Sequence, residues 1–508
     1  MNLIASTSTF SFFTLISRLL GYVRDILIAI FLGTSLFADA FFVAFRLPNT
    51  FRRLFAEGTF NAAFIPSYAG ELTKNKKKAD DFAKNVFNLL FIILLFIVFL
   101  AEIFMPQLIY LIAPGFYQDA EKFDLAINLS RITFPFLFFI SLASFFSAIL
   151  NSYNKFAVAA AAPIILNIVL ILSLLISQYL DTSLAFILSY AVSFAGFLQL
   201  LILLFFVRKN FKPILNLNIK INNKVKFFFR KLVPSIFSSG VTQINILVGT
   251  IIASFQTGAV SYLYYADRVY QINLAISGIA VGTVMLPQLS KYIKNNNKNQ
   301  VINLQNRSIE LSLFLSIPGA VALIIASKEI VTSLFGYGSF DIHSVKNTSI
   351  ALTFFAFGVP AFSILKIFSN LFFARDDTKL PFYLSVISVV LNIILSISFF
   401  NKIGFIIIPI ATSISSWVNV FMHFYFIKKR NLHNFDTKFT YKFPRILLSV
   451  VVMGTTLYLL LSVFSDKFLY NESWKVIYLF IIVLISLLSY FIISNFSGAF
   501  KFKDIKLR

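Results

Sequence analysis

The sequence predicts an all-α integral membrane protein with fourteen transmembrane helices. Of the 508 residues, 58% are hydrophobic and 65 are Phe, which is more apolar surface than the core of a soluble domain can bury. Apolar stretches of about 20 residues, the length that crosses a hydrocarbon core, recur along the whole chain between short polar segments. The predicted spans are 8–31, 34–56, 85–113, 125–150, 157–180, 184–207, 232–255, 259–289, 308–327, 348–373, 380–400, 403–427, 444–464 and 474–495.

The distribution of the net charge of +23 predicts the orientation of these helices. Seven polar segments carry 30 Lys and Arg residues, whereas the loops between them carry six. By the positive-inside rule the basic segments are cytoplasmic, so both termini are cytoplasmic and the number of spans is even. The basic segments are 71–84, 151–155, 208–231, 291–307, 375–379, 428–445 and 501–508. The six other residues are Lys122, Lys328, Lys346, Lys402, Lys467 and Lys475.

The chain also repeats itself at a displacement of about 220 residues. Ile-Pro-Ser-Tyr at 65–68 matches Leu-Pro-Gln-Leu at 286–289, and Leu-Asn-Ile at 166–168 recurs at 391–393. These matches predict an N-terminal and a C-terminal six-helix lobe, followed by two additional helices and a basic cytoplasmic tail. Repeats with an even number of spans are parallel and enclose a central cavity. The alternative, chance similarity between apolar helices, stays open. The three regions are 1–220, 221–440 and 441–508.

The first predicted span contains three charged residues, Arg18, Arg24 and Asp25. A charge at the centre of a membrane helix costs roughly 2.5 to 3.5 kcal/mol, so it normally faces a watery interior with a function. Arg18 and Asp25 share a helix face, whereas Arg24 lies about 120° away. Arg24 is therefore expected to line a different wall, unless the helix bends at Gly21.

The second predicted span carries a stripe of charged residues. Asp39, Arg46 and Arg53 follow one another at intervals of seven, and Glu57 lies four residues after Arg53. Pro48 is expected to interrupt this helix and to free backbone carbonyls that need other partners. An alternative for Arg53 and Glu57, a purely structural ion pair one turn apart, stays open.

The second lobe contributes Ser261, Asp267 and Arg268 near the start of the eighth span, and Lys366 within the tenth. With Arg52, which precedes Arg53 on the second span, the candidate residues comprise seven basic and four acidic side chains, so the predicted central cavity is cationic with a net charge of +3. Six of the seven cations are arginines, whose planar fork suits a phosphate group. An anionic, phosphate-bearing ligand is the simplest expectation.

Several other classes of function are disfavoured. The chain has no Cys, and its three His residues are far apart, so we expect no metal site and no cofactor. The basic segments lack interleaved aromatic residues, which argues against nucleic acid. No Gly-x-x-x-x-Gly-Lys-Ser/Thr loop occurs, so the chain is not expected to use ATP. A membrane enzyme would need clustered acids, whereas here the acids are dispersed and outnumbered.

Four motifs, in order and spacing, resemble those of the MurJ (MviN) lipid II flippases of the bacterial cytoplasmic membrane. One is the run DAFFVAFRLPNTFRRLFAEG at 39–58, preceded by SRLLGYVRD at 17–25. The others are YYADR at 264–268 and GTVMLPQLS at 282–290. The resemblance extends over essentially the whole chain. It implies the multidrug/oligosaccharidyl-lipid/polysaccharide exporter fold, with a hydrophobic groove formed by the last two helices.

The resemblance also implies which residues bind the substrate. Arg18, Arg24, Arg52 and Arg268 match the cavity arginines of the family, although Arg52 could alternatively only extend to the cytoplasmic headgroups. At Gln271 some members carry Glu, so no charge-based role is transferred there. The expected substrate-binding set is Arg18, Arg24, Asp25, Asp39, Arg52, Arg53, Glu57, Ser261, Asp267, Arg268 and Lys366, with Gly21 and Pro48 as hinge or kink residues.

The implied function is that of a transporter and not of an enzyme. It would move lipid II, undecaprenyl-diphosphate carrying the peptidoglycan precursor, from the cytoplasmic to the periplasmic leaflet of the inner membrane by alternating access. The expected partners are lipid II, the phospholipid bilayer and cell wall synthesis proteins. Coupling to the membrane potential or to a monovalent ion is left open. Two alternatives remain, a flippase for another lipid-linked oligosaccharide and a cation-coupled drug exporter, which the cationic cavity disfavours. The last two helices could hold the lipid tail or only stabilise the fold.

Overall fold

A computed structural model describes residues 3–55, 59–216 and 243–500, together with the isolated residues 226 and 230. Every regular element in this part of the chain is helical. The helices are α1 (Leu3–Leu32), α2 (Leu36–Phe55), α3 (Thr59–Leu72), α4 (Lys76–Ile103), α5 (Met105–Ile112), α6 (Ala120–Thr133), α7 (Phe136–Ser152), α8 (Phe156–Ile176), α9 (Leu184–Val207), α10 (Gln243–Ala253), α11 (Ala259–Leu274), α12 (Val281–Lys294), α13 (Lys298–Ile325), α14 (Ser327–Phe335), α15 (Ile342–Phe373), α16 (Lys379–Ile403), α17 (Ile407–Lys429), α18 (Thr437–Val463) and α19 (Lys475–Ser497).

Ten helical stretches of the described chain are long and apolar enough to cross a membrane. The predicted class, an all-α integral membrane protein, is confirmed. The count of fourteen spans stays a prediction, because α16 and α17 form one of the ten stretches and the charged helix α2 is not among them.

Three predicted spans contain backbone breaks that hydropathy alone does not detect. The span 125–150 consists of α6 and α7, which Phe134 and Pro135 separate. The span 85–113 consists of α4 and α5, and a π-helical turn at Ala275–Ala280 lies within the span 259–289. Hydropathy measures the length of an apolar segment, whereas these breaks depend on local backbone hydrogen bonding.

The chain forms two compact units, Met1–Ser261 and Tyr262–Arg508. The predicted lobe boundary between 220 and 221 lies outside the described residues, and the division into lobes stays a prediction. In the first unit α1 packs on α8, α2 packs on α6, and α9 packs on α7 and α8. Helix α10 and the first turn of α11 belong to this unit as well.

In the second unit α15 packs against α13 and α17, α18 packs against α13, and α19 packs against α18 and α14. The hydroxyl of Tyr490 in α19 donates to the carbonyl of Phe314, at 2.8 Å. Phe314 lies four residues before Pro318, which has no N–H to offer that carbonyl. Near the start of α18, the Nζ of Lys442 lies 2.5 Å from a carboxylate oxygen of Glu310 in α13.

An apolar groove of about 450 Å³ lies between α13 and α18. The two alternatives for the last helices, a groove and a stabilising attachment, therefore both have a structural counterpart in the second unit. The residues lining the groove are Val321, Ile325, Val450, Val451, Gly454, Thr455, Tyr458 and Leu459.

Candidate functional site

Asp39 in α2 is the most enclosed charged residue among the candidates whose side chains the structure describes. Its side chain has no exposed surface, and its Oδ2 atom forms an ion pair with the Nζ of Lys122 at 2.7 Å. Oδ2 also accepts the N–H of Gly258 at 2.8 Å, while Oδ1 accepts the N–H and the hydroxyl of Ser261 at 3.0 and 2.6 Å. Four donors therefore satisfy the carboxylate, as a buried charge requires. The expectation that Asp39 faces a watery cavity is wrong for this structure.

The local sequence explains why the backbone at the start of α11 can bind the Asp39 carboxylate. Helix α11 begins directly after Gly258, so Asp39 lies at a helix N-terminus, where free N–H groups and the helix dipole favour an anion. Gly258 has a φ of +77°, which a residue without a Cβ adopts at little cost. The folded structure thus brings together Asp39 and Ser261, which lie 222 residues apart in the sequence.

Lys122 is a functional candidate that the sequence did not reveal. The prediction that it lies in a loop is wrong, because it lies in the first turn of α6 and only 4% of the residue is exposed. Its ammonium group also lies 4.2 Å from the ring centroid of Phe116, a cation–π distance. The surrounding sequence from 119 to 124 is polar and resembles a loop, so no signal distinguishes Lys122 there.

Two further contacts join α10 to the rest of the first unit. The N–H of Gly115 donates to the hydroxyl of Ser254 at 2.9 Å, and a Cβ at Gly115 would lie 2.4 Å from the Ser254 backbone. On the other side, the guanidinium of Arg46 donates to the hydroxyl of Thr250. The corner formed by α10 and the start of α11, residues 243–261, is therefore held through backbone as well as side-chain contacts. We call this segment the α10–α11 corner.

Pro48 does not interrupt α2, which continues to Phe55, so the predicted interruption is wrong. The predicted need for a new partner is confirmed. Pro48 cannot donate to the carbonyl of Ala44, and the hydroxyl of Thr133 in α6 donates to it instead, at 3.0 Å. Thr133 therefore supplies the hydrogen bond that the proline removes and joins α2 to α6.

The second buried ion pair of this unit lies on α1. The guanidinium of Arg24 donates from Nε and Nη2 to Oδ1 of Asp25, at 3.0 and 2.6 Å, and from Nη1 to Oδ1 of Asn167 in α8, at 2.9 Å. Only 6% of Arg24 and 2% of Asp25 are exposed. The prediction that Arg24 lines a separate wall is wrong, because its long side chain reaches across the 100° step to its neighbour.

Asn167 also contacts the backbone of α1. Its Nδ2 donates to the carbonyl of Ser17 at 2.8 Å, next to Arg18, whose side chain is exposed. Helix α1 passes Gly21 without a break, so bending at that residue stays a prediction. A polar Asn within an apolar helix is the sequence signal for this contact, because a polar side chain in a membrane helix normally faces a protein partner.

In the second unit, Asp267 and Arg268 are each held by residues of their own helix. The carboxylate of Asp267 accepts from Nε2 of Gln271 and from the hydroxyl of Tyr270. The guanidinium of Arg268 donates to the hydroxyl of Tyr264 at 3.0 Å and lies 4.8 Å from that ring centroid. Both side chains are half-buried, so α11 presents one fixed anion and one stacked cation.

Lys366, like Arg18, has an exposed side chain. Its Cβ lies against Gly282 of α12, at 3.6 Å from the position that a Gly282 Cβ would take. One turn later, Nδ2 of Asn370 donates to the carbonyl of Gly282 at 2.7 Å and fixes α15 to α12. The ammonium group thus projects from a rigid helix junction.

The remaining candidates lie on α2. Arg52 is half-buried and donates from Nε to Oδ1 of Asn49, at 2.9 Å. The side chain of Arg53 and the whole of Glu57 lie outside the described residues, so the alternative of a structural pair stays open. No group of three metal-ligating residues occurs in the described chain.

Comparison with known proteins identifies the family. A sequence profile for "Lipid II flippase MurJ" matches residues 28–485. The "Probable lipid II flippase MurJ" of Rhizobium tropici is 40% identical over 459 residues, which cover 89% of this chain and 86% of the relative. The chain belongs to the MurJ family. A MurJ relative of the same description in Rickettsia prowazekii (strain Madrid E) is 37% identical over 477 residues, 93% of each chain.

Solved structures agree with this assignment. The structure described as "Lipid II flippase MurJ, inward closed conformation" superposes with a TM-score of 0.81 at 30% sequence identity, and the match covers 96% of this chain and 98% of that one. An inward-facing MATE family transporter of the MOP superfamily reaches a TM-score of 0.68 at 16% identity, covering 82% of this chain and 94% of its own. That second similarity shows the shared fold alone.

Proposed function

We propose that this chain moves lipid II from the cytoplasmic to the periplasmic leaflet of the bacterial inner membrane, with both of its own termini in the cytoplasm. The observation that carries the proposal is the near-complete match to a solved lipid II flippase, at a TM-score of 0.81 over 96% of the chain. Curated relatives across nearly the whole length bear the same functional name. Cell wall synthesis proteins, which use the exported precursor, are the proposed partners.

The anionic head of lipid II is proposed to bind the cations of the candidate set. Arg18 and Lys366 have exposed side chains, and Arg52 and Arg268 are half-buried. Arginine forks suit a diphosphate because each donates two parallel hydrogen bonds. Arg24 is buried, yet only three of its five N–H groups have partners among the described residues, so two donors remain.

Asp39 and Ser261 are proposed to act differently, as a closing contact. Their hydrogen bonds hold the α10–α11 corner onto α2. A transporter that works by alternating access must break such contacts in one half of its cycle. Because Lys122 remains beside Asp39 when the corner leaves, the carboxylate keeps its counter-ion and the opening does not expose an isolated charge.

The energy source is proposed to be the membrane potential. Moving an anion outward across an inside-negative membrane is favoured by about 2.3 kcal/mol per charge per 100 mV. A monovalent ion gradient is the alternative. If an ionophore that collapses the potential leaves lipid II export unchanged while the ion gradients persist, the potential is not the source.

The proposal is tested in cells that are depleted of their own lipid II flippase and complemented with this chain. Wild type is expected to restore the appearance of labelled lipid II in the outer leaflet, whereas Arg18→Ala and Arg268→Ala are expected to lower it at least tenfold. Lys402→Ala, an exposed cation at the end of α16, is the matched control and should export normally. Full export by both arginine variants at equal membrane levels would remove the assignment of the head-binding cations.

A further inference from the structure

We propose that Asn167 is a positioning residue that fixes Arg24 and the adjoining stretch of α1 for binding of the lipid II head. This inference rests on the proposed function. Asn167 lies in the apolar helix α8, and only 6% of the residue is exposed. A buried amide is costly unless both its donor and its acceptor find partners, and in this structure both partners belong to α1.

The two ends of the amide bracket one segment of α1. Oδ1 accepts from Nη1 of Arg24 at 2.9 Å, and Nδ2 donates to the carbonyl of Ser17 at 2.8 Å. Between these contacts, a Cβ at Gly21 would lie 3.6 Å from the amide, an ordinary contact distance. Asn167 therefore determines how the stretch that carries Arg18 and Arg24 lies against α8.

Asp25 alone does not fix the guanidinium of Arg24. Both hydrogen bonds from Arg24 to Asp25 end on the same oxygen, Oδ1, so the guanidinium can pivot about that atom. The bond from Nη1 to Asn167 supplies a second anchor on a different helix. With two anchors the plane of the fork is defined, and the two remaining N–H groups keep a constant direction.

The test measures binding of fluorescent lipid II to the purified full-length chain. Asn167→Ala removes a hydrogen bond to a charged group and is expected to weaken binding about tenfold. Gln199→Ala is the matched control, since it removes another buried amide of the first unit that bonds only within its own helix, to the Ala195 carbonyl. The control is expected to bind lipid II within twofold of wild type.

A second background separates positioning from a general structural effect. Arg24→Met combined with Asp25→Leu removes the ion pair without leaving an isolated buried charge. In this background only the contact of Asn167 with the Ser17 carbonyl remains, so adding Asn167→Ala should weaken binding by clearly less than the tenfold expected in wild type. Wild-type affinity in the single variant overturns the proposal, and so does a tenfold loss that persists in the double-substituted background.

A third readout does not depend on lipid II at all. The chain has no Cys, so Leu19→Cys, next to Arg18 and exposed, carries a nitroxide label at a single position. Asn167→Ala is expected to increase the mobility of this label, and Gln199→Ala is not. An unchanged spectrum overturns the positioning role. If wild type fails to bind lipid II, the proposed function fails, and the label still decides whether Asn167 fixes α1.

Discussion

Two buried ion pairs in the first unit, Asp39 with Lys122 and Arg24 with Asp25, differ in what they leave available. Asp39 accepts four hydrogen bonds, two of them from the backbone at the start of α11, and has no exposed surface. Arg24 is anchored by two side chains and retains two N–H groups without a partner in the described chain. The first pair is suited to closing a joint between helices, and the second is suited to holding a donor group in place for a ligand.

The largest expected loss of stability follows from breaking the ion pair between Asp39 and Lys122. Lys122→Met leaves Asp39 buried without its cation, so the free energy of unfolding should fall by about 3 to 5 kcal/mol. Denaturant unfolding of the purified protein measures this change. Lys122→Met combined with Asp39→Leu should regain more than half of the loss, because no isolated charge remains. An equal loss in both variants would show that the pair is not the cause.

The next largest loss of stability is expected at Gly258, whose N–H donates to Asp39. Gly258→Ala forces a Cβ into a left-handed conformation beside Asp39 and should cost about 1 to 2 kcal/mol of unfolding free energy. Gly70→Ala in α3 is the matched control, because open space surrounds that position and the helix favours Ala. Thermal unfolding should therefore move in opposite directions for the two variants, and the idea fails if both behave alike.

The proline in α2 allows a sharper test of how that helix meets α6. Thr133→Val removes the hydroxyl that donates to the Ala44 carbonyl and should lower stability by about 1 kcal/mol. In a Pro48→Ala background, residue 48 regains its N–H and can donate to that carbonyl. The effect of Thr133→Val should then fall to less than half, as measured by a double-mutant cycle, and an unchanged effect would contradict this role.

The smallest expected effect is a pH dependence of the free energy of unfolding, and it comes from His433, which belongs to neither ion pair. Burial lowers the pKa of His433, in the loop between α17 and α18, to about 4. The folded state therefore prefers the neutral ring, so stability is complete above pH 6.5 and is lost as the pH falls. Between pH 7 and pH 6 the loss should be about 0.7 kcal/mol. His433→Gln should remove this loss, and an equal pH dependence in the variant would rule out His433.

The sequence predicts the composition of these clusters better than their connections. Hydropathy and charge identify an all-α membrane protein, and the cost of a membrane-embedded charge singles out Arg24, Asp25 and Asp39. The pairings depend on which helices pack together, which no local pattern reveals. Lys122 lies in a polar stretch that resembles a loop, and Asn167 lies 143 residues from Arg24.

Helical periodicity gave a wrong prediction for the contact between Arg24 and Asp25, for a different reason. The step of 100° per residue separates the Cα–Cβ directions of Arg24 and Asp25, but an arginine side chain is long enough to return to its neighbour. Pro48 shows the opposite case. Elementary chemistry correctly predicts a carbonyl in need of a donor, yet only the packed structure identifies Thr133 as that donor.

Replacing both partners of each ion pair by apolar residues tests most directly whether the two pairs differ in function. The measurement is the affinity of the purified chain for fluorescent lipid II in two double variants, Arg24→Met with Asp25→Leu, and Asp39→Leu with Lys122→Met. The account predicts that the first weakens binding at least tenfold, while the second binds within twofold of wild type but no longer transports lipid II. Equal affinities in the two variants, or a larger loss of affinity in the second, would contradict it.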